Sequence, residues 1–305
     1  MKIVMNQLFS YQRLNDCNFG VSSDIDLKFY KKKQIYDIGH LFLNELLVIF
    51  SKQTISARKF ASICYTWGYP QVFDPLSLSG ENQIKAKKIS VCNLPGLIKV
   101  TSKKDKDNHF EGILSDIELE WHSDGSGKIN PLQAIALYAQ SVNTHHHTDF
   151  LECVTAYQKL SYEDKKVVDD LHYLHLWSNT TTLQYAKQDE VQLKLLELSE
   201  SSHTPITLPL INTSPGGYRG FRYNTRGFIK FVNKTEKENK ELKKWIESLI
   251  FKKEYIYTHH WKPGDIVFMD QTVMLHRRRP QDFSNRLLYR MQFDVSKLIS
   301  YVSKT

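Results

Sequence analysis

A histidine and a carboxylate two residues apart, His122 and Asp124, follow the alternating segment Ile117-Glu118-Leu119-Glu120-Trp121. On a strand, residues i and i+2 point to the same face, so this imidazole and this carboxylate reach one metal ion together. A third ligand has to come from elsewhere, and the best candidate is His276, in Thr272-Val273-Met274-Leu275-His276. Two imidazoles and one carboxylate on one face of an ion leave positions open for further ligands, the facial arrangement suited to non-haem Fe(II). A lone His-x-Asp is weak evidence, because such pairs also occur as surface polar residues and turn formers. The sequence downstream is what favours the metal reading.

The last long strand, Arg286 to Val295, carries a second signal. Leu287, Tyr289, Met291, Phe293 and Val295 fall on one face, and Arg286, Leu288 and Arg290 on the other. Two arginines on one face, about 13 Å apart at roughly 3.3 Å per residue, suit two anionic groups, since a guanidinium grips a carboxylate through a planar fork. An edge strand with a solvated face is the alternative.

The elements that must position these residues are readable in outline. Apolar positions from about Tyr36 to Phe50 suit a buried helix, and a second helix is expected from Ser56 to about Trp67, ending at Gly68-Tyr69-Pro70. Asn93-Leu94-Pro95-Gly96 reads as a turn and the polar run Ser102 to Asn108 as a loop. Pro131 to Ala139 reads as a buried strand, although periodicity alone leaves a helix open. Leu151 to Leu160 is read as a helix, and Ser161, with Glu163 and Asp164 behind it, caps another running to about Leu171. Ser214 to Tyr218 is a turn leading to a strand end at Phe221-Arg222-Tyr223-Asn224. Thr235 and Glu238 form a capping box for a helix to about Phe251, with Leu242, Trp245, Ile246, Leu249 and Ile250 on one face. Tyr255 to Thr258 and Ile266 to Met269 are strands around the turn Lys262-Pro263-Gly264-Asp265. Helices dominate before Ile113 and strands after it, which implies an antiparallel β core with an N-terminal helical covering, in one domain.

Composition bounds the function classes. At 305 residues, 41% hydrophobic and 24% charged, the chain is an ordinary globular protein. Cys17, Cys64, Cys92 and Cys153 are scattered and suggest neither a zinc knuckle nor a disulfide framework. The N-terminus shows no secretion signal, and the most apolar run, Leu41 to Phe50, is too short to span a bilayer, so a cytoplasmic protein is expected. The net charge of +8 raises a nucleic-acid partner. Its lysines instead lie in polar runs such as Lys31-Lys32-Lys33, and no basic helix with interleaved aromatics accompanies them. Self-association is left open.

Taken together, Trp121-His122-Ser123-Asp124, Thr148-Asp149-Phe150, the Lys262 to Asp265 turn, Asp270-Gln271 through His276, and Arg286-Leu287-Leu288-Tyr289-Arg290 resemble the taurine dioxygenase-like (TauD/TfdA) family of Fe(II)/2-oxoglutarate-dependent oxygenases. Each motif is loose alone; their order and spacing across residues 111 to 295 make the match specific. The resemblance implies a mainly β fold with α, a double-stranded β-helix (jelly-roll, cupin-like) core covered by N-terminal and inserted helices. Residues 1–305 would form one oxygenase domain, 1–110 a largely helical covering with the first strands and 111–295 the core. It maps His122, Asp124 and His276 onto the Fe(II) ligands, Arg286 onto the arginine that pairs with the distal carboxylate of 2-oxoglutarate, and Thr148 onto the threonine that helps hold it. Arg290 matches a second active-site arginine for substrate or cosubstrate, and Arg222-Tyr223-Asn224 resembles a stretch near the substrate in carnitine-pathway relatives.

The implied reaction consumes 2-oxoglutarate and O2, releases succinate and CO2, and oxidises, by hydroxylation first of all, a small anionic or zwitterionic metabolite such as an amino acid derivative. Desaturation or another oxidative step stays open, as do a cupin-like metalloenzyme without 2-oxoglutarate, which Arg286 and Thr148 argue against, and a basic nucleic-acid binder. The retained Asp124 implies oxygenation rather than halogenation. Four features depart from the family pattern. His145-His146-His147 stands where glycines are common, and its successive side chains cannot converge on one ion from a regular element, so a surface loop is expected. His259-His260 is expected to be structural or exposed, and Gln271 stands where relatives often have Asn. Arg277-Arg278-Arg279 is read as either an attractor for an acidic substrate or a solvated loop.

Overall fold

The computed structural model describes residues 3–6, 9–14, 19–72, 80–106, 110–113, 118–125, 128–143, 145–176, 204–280 and 284–304; Cys17, Ile117, Ser126 and Gly127 lie outside them. In chain order the strands are β1 (Ile3–Asn6), β2 (Phe9–Arg13), β3 (Val21–Ser23), β4 (Leu47–Phe50), β5 (Ile98–Thr101), β6 (Leu119–His122), β7 (Ala134–Ser141), β8 (His147–Glu152), β9 (His172–His175), β10 (Ile206–Pro209), β11 (Ile211–Thr213), β12 (Arg219–Phe221), β13 (Phe228–Phe231), β14 (Ile256–His260), β15 (Ile266–Asp270), β16 (Met274–Arg278) and β17 (Leu287–Phe293). The α-helices among the described residues are α1 (Lys32–Glu45), α2 (Ala57–Trp67), α3 (Gly80–Ile89), α4 (Val154–Gln158), α5 (Tyr162–Asp170), α6 (Glu236–Ile250) and α7 (Ser296–Val302).

Two sheets carry the core. The larger runs β1-β2-β3-β4-β15-β7-β17-β5 and the smaller β14-β8-β16-β6, with every pairing antiparallel except β3 to β4. Strand alternation divides the apolar residues of the larger sheet between two layers. Val48, Phe50, Ile266, Phe268, Met291 and Phe293 point outward onto Ile38, Phe42, Phe60, Trp67 and Leu298 of α1, α2 and α7. Ile49, Val267, Met269, Ile135, Val100 and Leu288 point inward and meet Leu119, Phe150, Met274 and Trp261 of the smaller sheet and its rim. The outer face of the smaller sheet, through Trp121, Leu151 and Leu275, packs on the α4, α5 and α6 layer. Burying each such side chain contributes on the order of 1.5–3 kcal/mol, so both faces of both sheets are occupied.

The caps fall where the sequence puts them. Ser56 and Ser161 accept from the Lys59 and Asp164 amides at 3.2 and 3.0 Å, and Thr235 and Glu238 cap α6 reciprocally. Two local expectations fail. The first helix ends at Glu45, Leu46 turns left-handed at φ 64°, and Leu47–Phe50 is a strand. A strand buried on both faces is a continuous apolar run and shows no period of two. The expected helix from Leu151 to Leu160 begins only at Val154, because Leu151 and Glu152 complete β8 and the Glu152 carboxylate accepts from the Val154 and Thr155 amides. The N-terminal region carries α1 to α3 together with β1 to β5, and β1 to β4 supply half of the larger sheet.

Candidate metal centre and its cavity

β6 and β16 are hydrogen-bonded neighbours, and their register sets His122 directly opposite His276. The two rings stand 4.2 Å apart between centroids. Asp124 follows β6 by two residues, where Gly125 turns the chain at φ +73°. Ligand atoms of His122, Asp124 and His276 all lie within 4.8 Å of one another. The three expected ligands therefore converge.

Each is prepared for a cation. The His122 Nδ1–H donates to the Glu120 carbonyl at 2.6 Å, because a carbonyl only accepts, and this leaves Nε2 with its lone pair free. Burial pushes the His122 pKa down and lowers that of His276 to about 3, so both rings are neutral. Nδ1 of His276 is buried with no hydrogen-bond partner among the described residues. Burial would raise the Asp124 carboxyl, but the Arg290 guanidinium and the two imidazoles outweigh it and hold it well below the usual range. Arg290 donates from Nε (3.0 Å) and Nη2 (2.5 Å) to Asp124 Oδ2 alone. Oδ1, 3.5 Å from His122 Nε2, is left facing the histidines. Two neutral imidazoles, an ionised carboxylate and an orphaned buried nitrogen fit a divalent ion.

A cavity opens from the triad and is lined by Thr148, Arg286 and Arg290. Its walls include Val100, Leu119, Ile135, Leu137 and Leu288. The Trp261 indole N–H donates to Thr148 Oγ1 at 2.9 Å, which directs the hydroxyl hydrogen elsewhere. Sequence reading missed this tryptophan, although it immediately precedes the Lys262 to Asp265 turn. His259, as expected, is structural and pairs with Asp265 at 3.1 Å.

Arg222 was expected near the substrate. It does not line this cavity; it donates to the carbonyl oxygens of Lys128 and Ile129 and fastens the turn behind Asp124. Its neighbours extend that clamp. The Ser123 amide donates to Asn224 Oδ1 at 2.7 Å and Thr225 Oγ1 to the Trp121 carbonyl at 2.9 Å. Arg226, which the sequence reading missed, lies two residues beyond the Arg222-Tyr223-Asn224 stretch; it is also buried, and its charge acts on both histidines and on Asp124.

Two basic runs differ from expectation. His145 is exposed, but His146 is buried and lines the cavity and His147 opens β8, so the three do not form one surface loop. Arg277 and Arg279 are neither substrate-facing nor merely solvated: both pair with Asp149, at 2.7 and 2.9 Å, and Thr258 donates to the same carboxylate at 2.6 Å. Arg278, turned by a bulge in β16, lines the cavity.

A profile of the Taurine catabolism dioxygenase TauD, TfdA family matches residues 11–292. The chain is 28% identical over 174 residues to an alpha-ketoglutarate-dependent 2,4-dichlorophenoxyacetate dioxygenase from Burkholderia sp. (strain RASC), covering 54% of each. It is 24% identical over 202 residues to pentalenolactone F synthase from Streptomyces arenae, covering 63% of this chain and 67% of that one. The chain thus spans about half the length of the first relative. Among solved structures, a taurine dioxygenase from Burkholderia xenovorans superposes with a TM-score of 0.69 at 18% identity, over 93% of this chain and 89% of that one. AAD-2 in complex with Mn(II) and N-oxalylglycine gives 0.66 at 19%, over 97% and 98%. These likenesses establish the fold and bear out the expected jelly-roll core. No helix among the described residues is long and apolar enough to cross a membrane.

Proposed function

The chain belongs to the taurine catabolism dioxygenase (TauD/TfdA) family, and from that premise we propose that it is an Fe(II)- and 2-oxoglutarate-dependent oxygenase. It hydroxylates a small carboxylate-bearing or amino-acid-like metabolite, with release of succinate and CO2. Residues 1–305 act as one oxygenase domain in the cytoplasm. The observation that carries this reading is the convergence of His122, Asp124 and His276 at the mouth of a cavity that also holds Thr148 and Arg286.

The three ligands hold Fe(II), and Arg286 and Thr148 hold the distal carboxylate of 2-oxoglutarate. When bound, iron with 2-oxoglutarate and O2 supplies the oxidising power; the chain supplies orientation and a dry site. Arg290 fixes which oxygen of Asp124 faces the ion, and the Glu120 carbonyl fixes the His122 tautomer. Trp261 orients the Thr148 hydroxyl toward an acceptor in the cavity. The aliphatic walls exclude water, which strengthens each charged contact inside.

Succinate release, measured across a metabolite panel rich in amino acids, their derivatives and aryloxyacetates, tests the proposal. Succinate formed with no matching substrate oxidation, or none formed at all, would count against it. A second reading, another oxidative step such as desaturation in specialised-metabolite biosynthesis, is favoured by the likeness to pentalenolactone F synthase; product mass separates the two.

A further inference from the structure

Of the arginines near the centre, Arg290 is neutralised by Asp124 and Arg222 is engaged by two backbone carbonyls. Arg226 differs. It is 5% exposed, and its Nε and Nη2 atoms are buried with no hydrogen-bond partner among the described residues. Those two atoms lie on one edge of the guanidinium plane, the edge whose parallel N–H bonds match the two oxygens of a carboxylate. Arg290 presents the same edge to Asp124.

The open fork is held in place. Asn224 and Thr225 bind the Ser123 amide and the Trp121 carbonyl on either side of His122. On the other flank Gly227 sits at φ +77°, where a Cβ would stand 2.7 Å from the Leu176 carbonyl and 2.9 Å from the His175 ring. The backbone at Arg226 is therefore clamped between the metal loop and β9. Arg226 does not line the cavity of Thr148 and Arg286, so its fork is not the one that serves the cosubstrate there. Asp124 and Glu120 act on the Arg226 charge without bonding this edge, and two buried N–H groups left without acceptors are unfavourable unless an anion completes them.

We propose that Arg226 binds the carboxylate of the substrate through its Nε and Nη2 edge, and so sets how far the oxidised carbon lies from that carboxylate. This rests on the oxygenase reading above and names its substrate anchor. The probes are acetate, benzoate and phenoxyacetate, titrated by calorimetry into protein loaded with Mn(II) and N-oxalylglycine, the latter being 2-oxoglutarate with an NH in place of a methylene. With N-oxalylglycine filling the cosubstrate place, at least one monocarboxylate is expected to bind the wild type. Its affinity falls by about tenfold to a hundredfold in Arg226→Gln, less in Arg226→Lys, while N-oxalylglycine affinity holds. An isolated role in folding predicts a lower melting temperature for Arg226→Met; the unpartnered fork predicts a higher one for the ligand-free protein. Equal monocarboxylate binding in the wild type and Arg226→Gln, no binding to the wild type, or a destabilised Arg226→Met would overturn the assignment. Failure of N-oxalylglycine to bind the wild type would instead remove the oxygenase reading.

Discussion

Removing Arg290 separates the positioning of a ligand from the binding of the metal. Its guanidinium and the Asp124 carboxylate are 9% and 12% exposed and joined at 2.5 Å. Deleting one partner of a buried ion pair leaves the other desolvated without compensation, a loss of roughly 3–5 kcal/mol. Glutamine retains one donor, so Arg290→Gln is expected at the lower end, about 3 kcal/mol at pH 7. A divalent ion at the triad restores the missing positive charge, so the deficit shrinks when metal is saturating. The assay is urea unfolding of wild type and variant, once with chelator and once with excess Mn(II). The pH dependence follows the same charges. The folded Asp124 pKa lies below its unfolded value, so its contribution is present above about pH 4 and is lost as pH falls through the folded value. In Arg290→Gln the depression weakens, and the acid loss begins at higher pH. Equal midpoints in chelator, or a deficit as large with Mn(II) as without, refutes the reasoning.

Arg286→Ala is expected to weaken 2-oxoglutarate by about 2–5 kcal/mol and iron far less; a titration of the Fe(II)–2-oxoglutarate charge-transfer band identical to the wild type removes Arg286 from that role. His276→Ala is expected to lower Fe(II) affinity by about a hundredfold or more, and wild-type-like anaerobic iron titration excludes it as a ligand. His175 is buried, and burial lowers its pKa to about 4, below the unfolded value, so the unfolded chain binds the proton first and stability is lost as pH falls. Burial pushes Asp270 the other way, up to about 6, which adds stability on acidification and masks the histidine in a simple scan. The difference in unfolding free energy between wild type and His175→Phe should therefore fall by roughly 3 kcal/mol from pH 6.5 to 4; a flat difference shows that His175 does not titrate as a buried neutral ring.

What was legible in the sequence was legible through periodicity and caps. His122 and Asp124 declare themselves because strand alternation is a local rule, and Thr235 with Glu238 marks a helix start by its own chemistry. Leu47–Phe50 could not be read that way, because burial on both faces erases the alternation that identifies a strand. Arg277 and Arg279 looked surplus because their partner, Asp149, belongs to β8, a neighbour only once the sheet has formed. Arg290 drew attention as a substrate arginine for the same reason: its pairing with Asp124 joins the middle of β17 to the turn after β6, far apart in the chain. Arg226 was not read from the sequence at all, because whether a guanidinium is satisfied depends on every neighbour in space.

The pairing of His122 with His276 across β6 and β16 also bears on how the protein is made. The first half of the triad is synthesised long before the last, so the emerging chain holds two ligands and no site. In the proposed site a metal ion would bind only after the smaller sheet has closed, and would then stabilise the protein by mass action, about 2.7 kcal/mol at a hundredfold excess over Kd. Long-range antiparallel closure of this kind is slow and exposes unpaired edges while it waits. Iron supply in the cell would therefore set how much of the chain survives to fold, quite apart from setting how much of it turns over: metal starvation should show first as lost protein, through proteolysis of the open sheet, and only then as lost chemistry.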